Sequence, residues 1–171
     1  MPTLRAFGRS LTGDPDRADD LVQETLAKAI ANQDKYTEGS NLNAWLITIL
    51  RNQYYTEGRK RRREVADTDG VYSSKVAIGG RQFDRMELRD FLAALHMLAD
   101  DQREALVLIG VTGLSYEDAA EVLGVRVGTV KSRVSRARAR LIALMDGDNS
   151  LDRSDAAIDG SVSRISQALG V

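Results

Sequence analysis

An all-α fold, two small helical domains joined by a flexible linker, is what these 171 residues predict. Three observations carry that expectation. The chain has only two prolines and is 5% aromatic, so long helices are easier to build than a sheet sandwich. Apolar residues recur at helical spacing through most of the long stretches. One segment in the middle, residues 64–85, breaks that rhythm with Asp, Ser and Gly and no sustained period.

The elements follow in order. Residues 3–12 read as a short helix with Leu4, Phe7 and Leu11 on one face. Gly13-Asp14-Pro15 stops it and starts the next, because proline fits the first turn of a helix and not its middle. A second helix over about 15–32 places Ala18, Leu21, Val22, Leu26, Ala29 and Ile30 on its apolar stripe. Asp14 or Asp16 sits at its N-terminus, where negative charge suits the dipole. A polar loop at 33–43 precedes a third helix, from Leu42 to about Arg62, apolar at its start and basic at its end. After the linker, helical pattern resumes at 86–98, with Met86, Leu88, Phe91, Leu92, Leu95 and Leu98 apolar. It continues at 100–111, 115–123 and 126–146. Residues 147–171 open on Gly147-Asp148-Asn149-Ser150 and close on a short amphipathic piece, Ile158, Val162, Ile165 and Leu169. The expected division is 1–63, linker 64–85, 86–146 and a C-terminal extension 147–171.

The most informative stretch is LSYEDAAEVLGVRVGTVKSRVSRARARL, residues 114–141. Ser115 is placed to cap a helix, with Asp118 as a capping-box partner three residues on. Ala120 is small enough for a close helix crossing, and Gly124 can take the left-handed conformation that ends the helix. The following helix buries Val130, Val134, Ala137, Leu141 and Leu144. Its other surface carries Thr129, Lys131, Ser132, Arg133, Ser135, Arg136 and Arg138. This is the helix-turn-helix pattern, whose second helix enters the major groove of DNA.

Charge supports a polyanionic partner. The net charge is only −1. Yet half of the 24 lysines and arginines fall in two runs, 51–63 and 126–140. The second run contains no acid. Two separated basic patches suggest two contacts with nucleic acid, although two solvated helix faces would show the same composition.

With these motifs in place the chain resembles the sigma factors of the extracytoplasmic-function (ECF) group. GTVKSRVSRARARL at 128–141 is similar to that group's promoter-reading helix, DDLVQETLAKA at 19–29 to its polymerase-binding helix, and NLNAWLITILRN at 41–52 to its segment for the opened promoter. The opening run from Arg5 to Ile30, with RKRRRE at 59–64, is similar to the alphaproteobacterial EcfG branch, which drives the general stress response. The resemblance implies that Arg126, Thr129, Lys131, Ser132, Arg133, Ser135, Arg136 and Arg138 meet the −35 element. Lys131, Ser132, Ser135 and Arg136 would read bases, and Thr129, Arg133 and Arg138 would hold backbone. It implies that Asn41, Arg51, Asn52, Tyr55, Thr56 and Arg59 meet the −10 element. Asp19, Asp20, Gln23 and Glu24 would bind core polymerase at the β′ clamp, and the C-terminal domain the β flap. A NepR-like anti-sigma factor, released by a PhyR-like mimic, would control it. Arg126 departs from the family, which often has Ser or Pro there: Arg neither caps the helix nor fits its first turn by design. Trp45 reads as core rather than as a stacking platform, and Tyr54 and Tyr55 read equally as core or DNA contacts.

Other classes find little support. Without cysteine the chain has no disulfides or thiolate metal sites, which fits a reducing cytoplasm. No apolar run suits a signal peptide or a membrane span, and no membrane partner is expected. The single histidine, His96, lies in an apolar helical run and reads as structural. No phosphate-binding loop and no paired metal motif are present, so no enzyme, cofactor or metal is expected. Two rivals remain: a stand-alone helix-turn-helix regulator, and a sigma-like decoy that binds an anti-sigma protein without DNA. The intact N-terminal half speaks against the first and the retained cations of residues 131–138 against the second.

Overall fold

The computed structural model describes residues 2–65 and 84–145. All regular structure among them is helical: α1 (Pro2–Thr12), α2 (Pro15–Ala31), a 3-10 turn (Gln33–Lys35), α3 (Leu42–Val65), α4 (Asp84–His96), α5 (Asp100–Gly110), α6 (Tyr116–Leu123) and α7 (Val127–Met145). Most of the segment expected as a linker, and the whole expected C-terminal extension 147–171, lie outside the described residues, as do the side chains of Met86 and Leu88.

Local chemistry sets the helix ends. Gly13 takes a φ of 67°, which turns the chain out of α1. The Asp14 carboxylate then accepts from the backbone N–H groups of Asp16 (2.9 Å) and Arg17 (3.2 Å), capping α2, with Pro15 in its first turn. α1 and α2 approach closely where Gly8 faces Ala18: a Cβ built on Gly8 would stand 3.4 Å from the Ala18 Cβ. α3 packs on both. Leu4, Phe7, Leu11, Leu21, Val22, Leu46, Ile47 and Leu50 form the core between these three helices, and Leu4, Phe7, Ile47 and Leu50 are completely buried. Each such side chain contributes about 1.5–3 kcal/mol by leaving water.

The second group packs α7 against α4, α5 and α6. Phe91, Leu95, Leu98, Leu106, Leu108, Leu123, Val130, Val134 and Leu141 are buried there. The two groups are not separate bodies. α5 lies against α1 and α6 against α3, and the buried residues of both halves join one continuous apolar cluster.

Some expected core positions differ. Ile30, placed on the apolar stripe of the second helix, is 72% exposed. It stands in the last turn of α2, one residue on from Ala29, which takes the buried position. Leu144, expected buried, is half-buried near the end of α7. Trp45 packs on the core as expected, with its ring 5.3 Å from that of Tyr36.

Candidate nucleic-acid interface

The helix-turn-helix is built as its residues dictate. The Ser115 hydroxyl accepts from the Asp118 N–H at 3.0 Å and caps α6. Asp118 does not complete the capping box; its carboxylate accepts instead from the Asn41 side-chain amide at 2.8 Å, across the boundary between the two helix groups. Gly124 ends α6 with φ 66°, and the next amide, Val125 N–H, bonds back to the Ala120 carbonyl at 3.0 Å. The Arg126 carbonyl accepts from the N–H groups of Thr129 (2.8 Å) and Val130 (3.2 Å), so the backbone starts α7 although the Arg126 side chain is exposed.

α7 buries Val130, Val134, Ala137 and Leu141 and turns its polar side outward. Arg126, Lys131, Ser135 and Arg136 are exposed, as is Arg140 one turn further on. Thr129, Ser132, Arg133 and Arg138 are only half-exposed. Several of these cations are already positioned by neighbours. Lys131 Nζ lies 5.6 Å from the centre of the Tyr116 ring. Arg136 donates to the Ser132 carbonyl and hydroxyl, both at 3.2 Å, which lays its guanidinium along the helix. Arg133 is ion-paired with Asp101 of α5 at 3.1 Å.

The residues expected at the −10 element divide into two sets on α3. Asn52, Thr56 and Arg59 are exposed, spaced so that they share one face, and the exposed Lys60 and Arg63 extend it, whereas Arg61 lies on the opposite side and pairs with Glu57. The half-buried Arg51 and Tyr55, and the exposed Asn41 just before α3, instead contact the second helix group. Arg51 Nε donates to Glu104 of α5 at 3.1 Å and its guanidinium stacks 5.0 Å from the Tyr55 ring centre. The Tyr55 hydroxyl donates to the other Glu104 oxygen. The Glu104 side chain is 2% exposed. Burial first, then the adjacent Glu104, push the Tyr55 hydroxyl well above its ordinary pKa. Tyr54 is structural: its hydroxyl donates to the Leu11 carbonyl at 2.8 Å.

On α2, Asp20, Gln23 and Glu24 are exposed. Asp19 is tied to Arg5 at 3.0 Å, and Glu24 accepts a hydrogen bond from the buried Gln53, which also donates to Glu57 at 3.1 Å. His96 is half-buried, and burial, with Arg103 nearby, lowers its pKa. Among the described residues no group of three or more His, Asp or Glu side chains could hold a metal ion. No described helix is long and apolar enough to cross a membrane.

Sequence reasoning missed Asp101 and Glu104. Neither has a local signal: Asp101 looks like a first-turn acid, and Glu104 like one polar residue before the apolar run of α5. Only the tertiary contacts of α5 with α7 and α3 disclose their partners.

Comparison with known proteins agrees with this geometry. Residues 1–64 match the family Sigma-70 region 2, and residues 88–141 match Sigma-70, region 4. The chain is 55% identical to the ECF RNA polymerase sigma factor EcfG of Rhodopseudomonas palustris over 152 residues, 89% of this chain and 84% of that protein. It is 39% identical to the ECF RNA polymerase sigma factor SigC of Mycobacterium tuberculosis, over 80% of this chain and 74% of that one. Its fold is similar to the sigma factor RpoE of Bartonella quintana, solved in complex with the anti-sigma factor NepR. That match has a TM-score of 0.79 and 57% identity, covering 86% of this chain and 92% of that one. The capped helix-turn-helix, the cation-bearing α7, both matched sigma regions and the identity to EcfG together show that this chain belongs to the ECF sigma factors of RNA polymerase.

Proposed function

We propose that the chain binds core RNA polymerase in the cytoplasm and directs it to a defined class of promoters. The observation that carries this is the outer surface of α7, where Arg126, Lys131, Ser135 and Arg136 stand exposed on a helix whose other side is locked into the core by Val130, Val134, Ala137 and Leu141. A rigid helix with a buried stripe presents its polar side chains in fixed register to the major groove at the −35 element. Lys131, Ser132, Ser135 and Arg136 read bases there, while Thr129, Arg133 and Arg138 hold backbone. The exposed Asn52, Thr56 and Arg59 on α3, with Asn41, Arg51 and Tyr55, serve the opened −10 element. Backbone contact there needs cations, and an unstacked base needs a pocket. Asp20, Gln23 and Glu24 form the exposed polar face of α2 that meets the β′ clamp, and Asp19 supports it from its pair with Arg5. The second helix group also meets the β flap. None of these roles requires a catalytic centre.

Similarity to EcfG supports a role in the general stress response, and the NepR-bound relative supports control by a NepR-like anti-sigma factor.

Transcription in vitro with purified core polymerase tests the proposal, on a template with a GGAAC-type −35 element and a family-type −10. A start site that appears only when this chain is added is expected. Absence of any binding to core would overturn it in favour of a free regulator or a decoy.

A further inference from the structure

Three of the residues assigned to the −10 element are occupied by the other half of the molecule. Arg51 and Tyr55, one helical turn apart on α3, converge on the two carboxylate oxygens of Glu104. Asn41, at the start of α3, donates to Asp118 at 2.8 Å. Glu104 belongs to α5 and Asp118 to α6, so both acids reach across from the helix group that carries α7. Neither contact serves its own helix. Glu104 sits mid-helix with its side chain 2% exposed, and its described partners come from α3. A carboxylate so deeply buried is costly unless it is paired and hydrogen-bonded. The pairing therefore makes the joint between the two groups specific as well as apolar. Asn52, Thr56 and Arg59 stay exposed on the same helix.

We propose that Glu104, assisted by Asp118, is an intramolecular latch that closes the α5–α6 side of the molecule over Asn41, Arg51 and Tyr55 and competes with the −10 strand for them. The latch rests on the reading of α3 as promoter-facing. An acid that borrows the cation and the donors meant for a phosphodiester strand is an internal mimic of that strand. Free protein is then held closed, and engagement of the −10 element requires Glu104 to release Arg51. The closed population lowers the apparent DNA affinity by the fraction of molecules that are open.

The chain has no cysteine, so Lys28→Cys and Ala139→Cys, at exposed positions of α2 and α7, give a clean pair for energy transfer across the joint. The probe is a single-stranded oligonucleotide carrying the −10 sequence, titrated into the labelled full chain. Glu104→Gln removes the latch charge with nearly unchanged shape. Asp118→Ala removes the second contact at a half-exposed site, and Ser115 still caps α6, so this variant keeps the test alive should Glu104→Gln fold poorly. Both variants are expected to lower energy transfer and to tighten oligonucleotide binding severalfold, with helix content unchanged by circular dichroism. Unchanged transfer in both overturns the latch. Lowered transfer with unchanged affinity overturns the competition. Arg59→Ala tests the underlying reading separately, since Arg59 is exposed and bonds to Thr56 rather than to Glu104. If Arg59→Ala leaves oligonucleotide binding untouched, the promoter-facing role of α3 falls and the competition with it, whereas the transfer signal still decides whether Glu104 holds the halves together.

Discussion

Arg136→Ala is the substitution whose size the structure lets one work out. In the free protein the guanidinium is not idle: it donates to the carbonyl and hydroxyl of Ser132, each at 3.2 Å. These bonds are solvent-exposed and weakly stabilising, about 0.5–1 kcal/mol each at most. A bidentate arginine contact with a guanine discriminates by about 1–3 kcal/mol. The arginine gives up the two Ser132 bonds, together about 1–2 kcal/mol, to make it, so the net penalty of removing Arg136 is at most about 2 kcal/mol, up to roughly a thirty-fold loss of affinity. The assay is a titration of duplexes carrying the −35 element, wild type and with each base pair changed, at several salt concentrations. A base contact predicts that the loss disappears on the duplex whose partner base has been changed, which makes the pair a double-mutant cycle. Arg136→Lys should lose nearly as much, because it keeps the charge but not the fork. Equal loss on every duplex, with the salt slope reduced by about 0.9, would refute base reading and make Arg136 a phosphate contact.

Other expectations test the frame around that helix. Ser115→Ala leaves the N-terminus of α6 uncapped and should cost about 1 kcal/mol, read as a fall of a few degrees in Tm. Tyr54→Phe breaks the bond to the Leu11 carbonyl and should destabilise the α1–α3 packing by about 1 kcal/mol in a urea titration, without changing −10 binding. His96 is held below its ordinary pKa in the folded chain, so the unfolded chain takes up the proton first as pH falls. Its contribution to stability is complete above about pH 6.5 and declines as pH drops through that value, and His96→Gln should flatten this part of the stability profile measured by urea unfolding.

Much of this was legible in the sequence because it is local. The cap at Ser115, the left-handed stop at Gly124 and the buried spacing of Val130, Val134, Ala137 and Leu141 are matters of a few neighbouring residues, and each stands where periodicity and turn chemistry place it, while of the two acids read at the start of α2 it is Asp14 that caps. Ile30 was misplaced because, one residue on from the buried Ala29, it is turned about 100° away from the centre of the buried stripe. Asp118 was half right: its backbone serves the cap, while its carboxylate leaves for Asn41, a residue 77 positions away.

The order of the helices, the helix-turn-helix and the cationic outer surface of α7 were thus determined by the sequence alone, since propensity, capping and amphipathic spacing act within a few turns. The tertiary structure alone decided which of the polar side chains on α3 and α7 are already engaged. Arg133 is bound by Asp101, and Arg51 and Tyr55 by a glutamate from another helix. A buried ion pair is made by two distant segments, each of which reads by itself as an ordinary charged helix. Its existence depends on the packing of α5 against its neighbours, which no local pattern encodes.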